Sequence, residues 1–329
     1  MTGAPVPTNP STKENTMHDT GMQHDTGTHI ATIRESTVET AVERDWTPLT
    51  DEQFESYEQH GYLHLKGLFS PEEVARGLAV IDEVVADGAR TIENHASFTD
   101  RAHTVRVRDA VARTAGLDYF LDHPKLVGPL MSLLAGSVQL LGTEIFVRSL
   151  QDEALEYWHT DGGEYLQQLR LVHGSPSLQI KAQVFFTDTT KSDSGNFLLV
   201  PGSHRKVPTD RTALCYIEEL DEPLRRGELP EEAVEVKAAP GDVLIFPYSL
   251  WHAVAPNKVQ ERKTFILRYG HLWHRPHDYL RQPAEVLDRM SPRLRRMFGD
   301  FGDQVHPTDY YKPVDQGDVM AVGGNHAAV

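Results

Sequence analysis

Apolar and polar residues alternate in short runs through the second half of the chain, from about residue 138 onwards. A period of two is typical of β-strands that bury one face. The pattern predicts strands over six stretches, namely 140–147, 178–188, 196–200, 234–237, 243–246 and 263–269. Turns such as Pro201-Gly202 and Pro240-Gly241 separate them. Many short strands with such turns favour a β-sandwich or barrel of the jelly-roll type.

Helical patterns precede this region. Residues 50–53 (TDEQ) and 70–73 (SPEE) have the form of capping boxes, which mark the starts of helices. Between them, residues 61–69 alternate like a half-buried strand. A further helix is predicted over 124–134, and Pro129 is the place where it could break and restart. The predicted fold class is therefore mainly β with flanking helices.

The two ends of the chain differ from the middle in composition. Residues 1–43 contain no Phe, Trp or Tyr and are rich in Thr, Pro, Gly, Ser and His. Such a segment cannot bury enough apolar surface to offset its ordering entropy, so we predict a disordered tail. We predict a single domain over 44–316, with helical spacing at 283–298, and a flexible tail over 317–329.

Charge and cysteine content restrict the classes of partner. The formal net charge of -16 argues against a nucleic-acid or anionic-membrane partner, because both would be repelled. A single cysteine, Cys215, excludes an intramolecular disulfide framework and fits a reducing compartment. No stretch approaches the roughly 18 apolar residues of a membrane span, and the N-terminus lacks the apolar core of a secretory signal. We expect a cytoplasmic protein with a small-molecule partner; the oligomeric state stays open.

The triplet His159-Thr160-Asp161 is the first candidate for chemistry. With 17 histidines in the chain, one such triplet is expected by chance, so its position matters more than its presence. It follows an aromatic pair and precedes two glycines, where a strand could end in a loop. There, residues i and i+2 point to the same side, so an imidazole and a carboxylate can meet one ion.

A third metal ligand could come from His252, which follows the apolar run VLIF and precedes a turn. The alternative for His252 is a histidine that lines the barrel and bonds to the backbone. Two histidines and one carboxylate are the ligand set of non-haem Fe(II) oxygenases. Zinc with the same three ligands and a water is the rival interpretation.

Two arginines lie on one face of the last predicted strand, RKTFILRYG. Arg262 and Arg268 share that face with Thr264 and Ile266. If the face is buried, each guanidinium needs an anion, and a carboxylate can accept two parallel hydrogen bonds from it. An oxygenase that uses 2-oxoglutarate must hold the distal carboxylate of that acid, which Arg262 could do. The alternative is a surface arginine paired with an acid such as Glu261.

From about residue 50 to 283, the sequence resembles the phytanoyl-CoA dioxygenase (PhyH-like) family of Fe(II)/2-oxoglutarate oxygenases. The resemblance rests on five stretches, HGYLHLKGLFSPEEV, WHTDGG, TDTTKSDSGNFLLVPGSHR, PGDVLIFPYSLWHAVAPN and RKTFILRYG. It implies a double-stranded β-helix core of jelly-roll or cupin-like form, with helices packed outside it. It also implies Fe(II) bound by His159, Asp161 and His252, and 2-oxoglutarate held by Arg262 and used together with O₂. The spacing of Arg262 is one residue shorter than the family pattern, which leaves Arg268 as the substitute.

The resemblance also bears on reaction and substrate. It implies oxidation, chiefly hydroxylation, of an unactivated C–H bond in a small molecule such as a secondary-metabolite intermediate, with release of succinate and CO₂. Related halogenases lack the carboxylate that Asp161 provides. Desaturation, cyclisation or epimerisation stay open, as do a non-catalytic binding protein and a zinc-dependent jelly-roll enzyme. Gln183, at a position where relatives often have an aromatic residue, is a candidate for the co-substrate pocket. Candidate substrate residues are Tyr157, Tyr165 and Trp251.

Overall fold

The described part of the chain covers most of the predicted domain. In this computed structural model the described residues are 46–88, 104–134, 138–161, 178–206 and 217–301. The predicted tails, 1–43 and 317–329, lie outside the described residues, and so do Tyr165 and Cys215.

Capping boxes start the first two helices, as the sequence predicts. The Thr50 hydroxyl accepts a hydrogen bond from the Gln53 N–H, and the Gln53 side chain accepts one from the Thr50 N–H. Ser70 and Glu73 form the same reciprocal pair. Each pair satisfies backbone donors that the first helical turn leaves without partners. The helices are α1, Asp51–His60, and α2, Pro71–Gly88, with strand β1, Leu63–Leu65, between them.

Later helices are shorter, and one prediction about them is wrong. The helix over 124–133 continues through Pro129 without a restart. Proline removes one backbone hydrogen bond there, but the residue is buried among apolar side chains that hold the helix in place. The region 283–298 forms two short helices rather than one. The further described helices are α3, Ala110–Arg113; α4, Pro124–Leu133; α5, Asp221–Arg225; α6, Ala284–Leu287; and α7, Pro292–Met297.

A six-stranded antiparallel sheet, the major sheet, forms the larger wall of the core. Its order is β1-β8-β5-β10-β3-β2. Five of its strands were predicted within a few residues, and β2 was not predicted. Its strands besides β1 are β2, Thr104–Arg108; β3, Gln139–Arg148; β5, Gln179–Phe185; β8, Val243–Pro247; and β10, Arg262–Gly270.

A four-stranded antiparallel sheet, the minor sheet, faces it in the order β4-β9-β6-β7. Its strands are β4, Glu156–His159; β6, Phe197–Leu199; β7, Val234–Glu235; and β9, His252–Val254. Apolar side chains of both sheets pack together, and the rings of Phe197 and Phe246 lie 4.7 Å apart. Two facing antiparallel sheets of short strands confirm the predicted jelly-roll architecture.

The two faces of the major sheet differ in chemistry. On β10, Phe265, Leu267 and Tyr269 point outward and pack against the helices, α2 and α4 among them. Burying each such side chain stabilises the fold by about 1.5–3 kcal/mol. The alternate residues point inward, towards the minor sheet, and several of them are polar. Within the described residues, no helix combines the length and apolar character that a bilayer crossing needs.

Candidate metal centre

Sheet pairing brings the two candidate histidines together. His159 ends β4 and His252 begins β9, and the two are Cα partners in neighbouring strands. Their ring centroids lie 4.2 Å apart. Asp161 follows in a turn that is fixed by a 2.8 Å hydrogen bond from its backbone N–H to the Tyr248 carbonyl. One ligand atom from each of the three residues lies within 4.8 Å of the other two, so the triad that the sequence suggested has the geometry of a metal site.

Backbone carbonyls set the tautomer of both histidines. Nδ1 of His159 lies 2.7 Å from the Tyr157 carbonyl oxygen, and Nδ1 of His252 lies 2.8 Å from that of Leu250. A carbonyl oxygen only accepts, so each Nδ1 carries the proton and donates it. The lone pair of each Nε2 is therefore directed to the centre, as a metal ligand requires.

The carboxylate of Asp161 has one oxygen engaged and one open. Oδ1 lies 2.5 Å from Nζ of Lys181, a buried lysine of β5. Oδ2 lies 3.4 Å from Nε2 of His252 and has no hydrogen-bond donor among the described residues. Burial would raise the pKa of Asp161, but the charge and hydrogen bond of Lys181, together with His252 and His159, hold the pKa well below its usual range. The group is a carboxylate with one oxygen directed to the metal position.

Aromatic side chains shield His252. The Phe197 ring stacks on the imidazole with centroids 5.0 Å apart, and the Phe246 ring meets it edge-on at 5.3 Å. Burial, followed by the neighbouring His159, lowers the pKa of His252 to about 3. The imidazole is thus neutral at physiological pH, which is the form that binds a metal.

Arg262 is buried with no carboxylate in contact among the described residues. It begins β10 and is 2% exposed, and its Nε and Nη2 have no hydrogen-bond acceptor among the described residues. Its guanidinium lies 5.7 Å from the centre of the Phe185 ring, between the sheets. Burial, and then repulsion from Arg148, lower its pKa to about 9. A buried guanidinium with unused hydrogen-bond donors is suited to bind an anion.

Gln183 lies on the same inner face of β5 as Lys181 and Phe185, because side chains two apart share a face. It is 2% exposed, and its Nε2 has no acceptor among the described residues. Sequence reasoning named Gln183 but missed Lys181. A lysine within the otherwise buried run QIKAQVF was the signal that could have found it.

The other named residues lie further from the centre or have other partners. Tyr157 and Trp251 pack against an apolar cluster that includes Trp158, the strand neighbour of His159 on the opposite face. Arg225 lies over the Tyr157 ring and Lys206 over the Trp251 ring. Their assignment to substrate stays a prediction, as does that of Tyr165, which lies outside the described residues.

Arg268, the substitute anchor, has a carboxylate in contact. Its Nη2 contacts the carboxylate of Glu144, which is fully buried on β3. Arg268 lies directly opposite Lys181, at the end of β10 away from Arg262. Of the two arginines on this face, Arg262 is thus the one with no carboxylate within ion-pair distance among the described residues.

Comparison with known protein families identifies the family of this chain. The family model of phytanoyl-CoA dioxygenase (PhyH) matches residues 57–265, which is more than half of the chain and includes all three metal-ligand candidates and Arg262. The chain belongs to the phytanoyl-CoA dioxygenase family. The resemblance drawn from the sequence is therefore confirmed.

Curated relatives match this PhyH-family chain over part of their length. An ectoine dioxygenase from Bordetella bronchiseptica is 28% identical over 173 residues, or 48% of this chain and 50% of that protein. The chain thus spans about half the length of the curated relatives it matches.

Two solved structures share the fold at low identity. The non-haem α-ketoglutarate-dependent carbocyclase SnoK from nogalamycin biosynthesis has a TM-score of 0.53 at 22% identity, covering 69% of this chain and 87% of SnoK. HygX from Streptomyces hygroscopicus, with nickel, 2-oxoglutarate and hygromycin B bound, has a TM-score of 0.52 at 20% identity, covering 69% of this chain and 89% of HygX. These matches confirm the predicted jelly-roll fold.

Proposed function

We propose that this chain is an Fe(II)- and 2-oxoglutarate-dependent dioxygenase that oxidises a C–H bond of a small molecule. The observation that carries the proposal is the set of open ligand atoms, Nε2 of His159, Oδ2 of Asp161 and Nε2 of His252, within 4.8 Å of one another. Two neutral imidazoles and one carboxylate on one side of an ion leave the opposite positions for substrates, as in non-haem Fe(II) oxygenases.

Arg262 is proposed to bind the distal carboxylate of 2-oxoglutarate. Its buried Nε and Nη2 can donate two parallel hydrogen bonds to that group. Thr264, next on the same face, is fully buried, and its hydroxyl has no partner among the described residues, so it could donate a third. Gln183 lies on the neighbouring strand and would contact the chain of the acid. This arrangement explains why a guanidinium is buried with no protein carboxylate in contact with it.

The chain's own residues would bind, orient and exclude water. When bound, iron, 2-oxoglutarate and O₂ supply the oxidising chemistry, in which the acid becomes succinate and CO₂ and an oxygen atom is left to oxidise the substrate. Lys181 holds Oδ1 of Asp161 so that Oδ2 is directed to the metal. The rings of Phe197 and Phe246 keep water from His252.

Hydroxylation is the proposed outcome for this active site. By the family resemblance, related halogenases have no carboxylate at the position that Asp161 occupies. Cyclisation and epimerisation use the same oxidant, and SnoK is a carbocyclase. The substrate class is proposed to be a natural-product intermediate or another polar small molecule, because HygX is solved with hygromycin B bound and a further relative is an ectoine dioxygenase.

The chain is further proposed to work in the cytoplasm as one catalytic domain over residues 44–316, with a small-molecule partner and without a nucleic-acid or membrane partner. The support is its net charge of -16 and single cysteine.

Anaerobic reconstitution tests the proposal. Purified protein is mixed with Fe(II), and 2-oxoglutarate is then added. We expect a visible charge-transfer band that appears only when both are present, and succinate release once O₂ and a substrate from a small-molecule panel are supplied. The band without succinate release on any substrate would indicate a binding protein. No band, with Zn²⁺-dependent activity instead, would replace the proposal by a zinc enzyme.

A further inference from the structure

Two cations lie directly opposite each other beside the metal centre. Lys181 of β5 and Arg268 of β10 are Cα partners, so their side chains leave the same inner face of the major sheet. Lys181 is 5% exposed, and the side chain of Arg268 is 11% exposed. Like charges directly opposite in a sheet are destabilising, and burial adds a desolvation cost. This cost points to a role in binding an anion.

The carboxylates next to this pair are shared with other cations. Asp161 is the one described carboxylate within ion-pair distance of Lys181, and a metal at the triad would compete for its charge. Arg268 contacts Glu144, whose carboxylate also contacts Arg106 and Arg108. The four cations therefore outnumber the two carboxylates that they contact, and an incoming anion would be stabilised there.

The segment after β10 adds one carboxylate, Asp278, so the described cations still outnumber the carboxylates by four to three. Burial, and next the charge of Arg268, lower the pKa of His277 to about 4, so its ring is neutral at physiological pH. Burial, and next Glu144, raise the pKa of Asp278 to about 6. Its Oδ2 accepts a 3.1 Å hydrogen bond from the Thr143 N–H, so this carboxylate is directed to the backbone of β3.

Two glutamines beside Lys181 supply an independent observation. Gln179 and Gln183 lie two residues before and after it on the same face of β5. They are 1% and 2% exposed, and Oε1 of Gln179 and Nε2 of Gln183 have no partner among the described residues. Buried polar atoms normally have partners, so this strand face is built to contact a polar ligand.

We propose that Lys181 and Arg268 bind a carboxylate group of the substrate, next to the metal and on the side away from Arg262. The assigned substrate class is thus a carboxylic acid or zwitterion rather than a neutral hydrocarbon. The proposal rests on the proposed function, because the carboxylate would orient a C–H bond towards a metal at the triad. Lys181 serves both groups, with Asp161 on one side and the substrate on the other.

The test uses matched acids and amides as probes. The Fe(II) and 2-oxoglutarate complex of the full chain is formed anaerobically, and its charge-transfer band shows whether the proposed function holds. Benzoate and benzamide, and hexanoate and hexanamide, are then titrated at saturating 2-oxoglutarate and constant ionic strength. Binding is followed by the band and, in the Ni(II)-substituted protein, by calorimetry. We expect each acid to bind at least about tenfold more tightly than its amide.

Variants assign the preference to the two cations. Lys181→Met and Arg268→Gln should each bring the acid and amide dissociation constants to within about threefold of each other, and Lys181→Arg should retain part of the preference. Lys258→Met is the matched control, since this lysine side chain is 47% exposed and pairs with Asp193 on the surface. It should leave the preference unchanged.

Several outcomes would overturn the inference while the proposed function stands. Equal binding of acid and amide to the wild-type complex would do so. Displacement of 2-oxoglutarate by the acids would place the cations in the co-substrate site instead. If Lys181→Met weakens metal binding but keeps the acid preference, then Lys181 only orients Asp161. If the band never forms in the wild-type protein, the proposed function itself fails.

Discussion

Replacing Arg262 by methionine should change two measured quantities in opposite directions. The substitution keeps an unbranched side chain that can pack between the sheets, and it removes the guanidinium with its charge. Arg262 is 2% exposed, two of its donors have no acceptor among the described residues, and Arg148 repels it. Removing such a charge should raise the free energy of unfolding by about 1–3 kcal/mol.

The same substitution should weaken the binding of 2-oxoglutarate. Truncating one partner of a buried, hydrogen-bonded charge pair costs about 2–5 kcal/mol, which corresponds to an increase of roughly 30-fold to several thousand-fold in the dissociation constant. Anaerobic titration of the Fe(II) protein with 2-oxoglutarate measures this constant, and urea unfolding of the metal-free protein measures stability. A gain in stability with a loss of affinity is typical of a binding residue and not of a structural one.

Arg268→Met is the matched control for this experiment. Arg268 contacts buried Glu144, so its loss leaves that carboxylate short of a partner and should destabilise the protein. Its effect on 2-oxoglutarate affinity should stay within about threefold. If Arg262→Met leaves that affinity unchanged and Arg268→Met reduces it, the anchor is Arg268 and the reasoning from unpaired donors is refuted.

Three further predictions concern the metal, a turn and pH. His159→Ala should abolish iron-dependent turnover and weaken metal binding in calorimetry by at least about a hundredfold; retained full activity would remove His159 from the ligand set. Gly195→Ala should lower stability by about 1–3 kcal/mol and raise the 2-oxoglutarate dissociation constant, because φ is 68° and the added Cβ would lie 2.9 Å from Cδ of Arg262. Gly227→Ala, at φ 73° with no atom within 4 Å of the added Cβ, should lower stability through backbone strain and leave 2-oxoglutarate binding unchanged. If both variants raise the 2-oxoglutarate dissociation constant equally, the predicted contact between residue 195 and Arg262 is contradicted. Burial raises the pKa of Asp278 to about 6, so its contribution to stability is fully present below about pH 4 and is lost as pH rises through 6. The free energy of unfolding of Asp278→Asn relative to wild type should therefore rise by about 1.4 kcal/mol between pH 5 and pH 8 in urea unfolding; no pH-dependent difference would contradict this.

Local signals made the three residues of the proposed metal site predictable. His159 and Asp161 are two apart at a strand end, and His252 follows an apolar strand, so spacing and period were enough to nominate them. The capping boxes were predictable for the same reason, since each is complete within four residues. Arg262 was predictable because two cations on one strand face stand out against apolar neighbours.

Features that depend on contacts between residues far apart in the sequence could not be predicted from local patterns. Strand β2, TVRVR, looks polar because Arg106 is inward, and only its pairing with Glu144 from another strand explains the charge. Lys181 appears in sequence as one lysine in a strand, and its role depends on Asp161 across the sheets. Short strands such as β9, three residues long, have too few positions to show a period.

The block DSGNFLLVPGSH contributed most to the family resemblance, yet it contains no metal ligand. Its turn is held from several sides: Asn196 donates to the Thr189 carbonyl at 2.7 Å, and the Gly195 N–H donates to the Pro256 carbonyl at 2.9 Å. The backbone of Gly195 lies against Arg262, so close that no side chain would fit without displacing the arginine. The turn therefore fixes where the guanidinium lies between the sheets. Because 2-oxoglutarate would have to reach both the metal and Arg262, a sequence that specifies this turn specifies the distance between them.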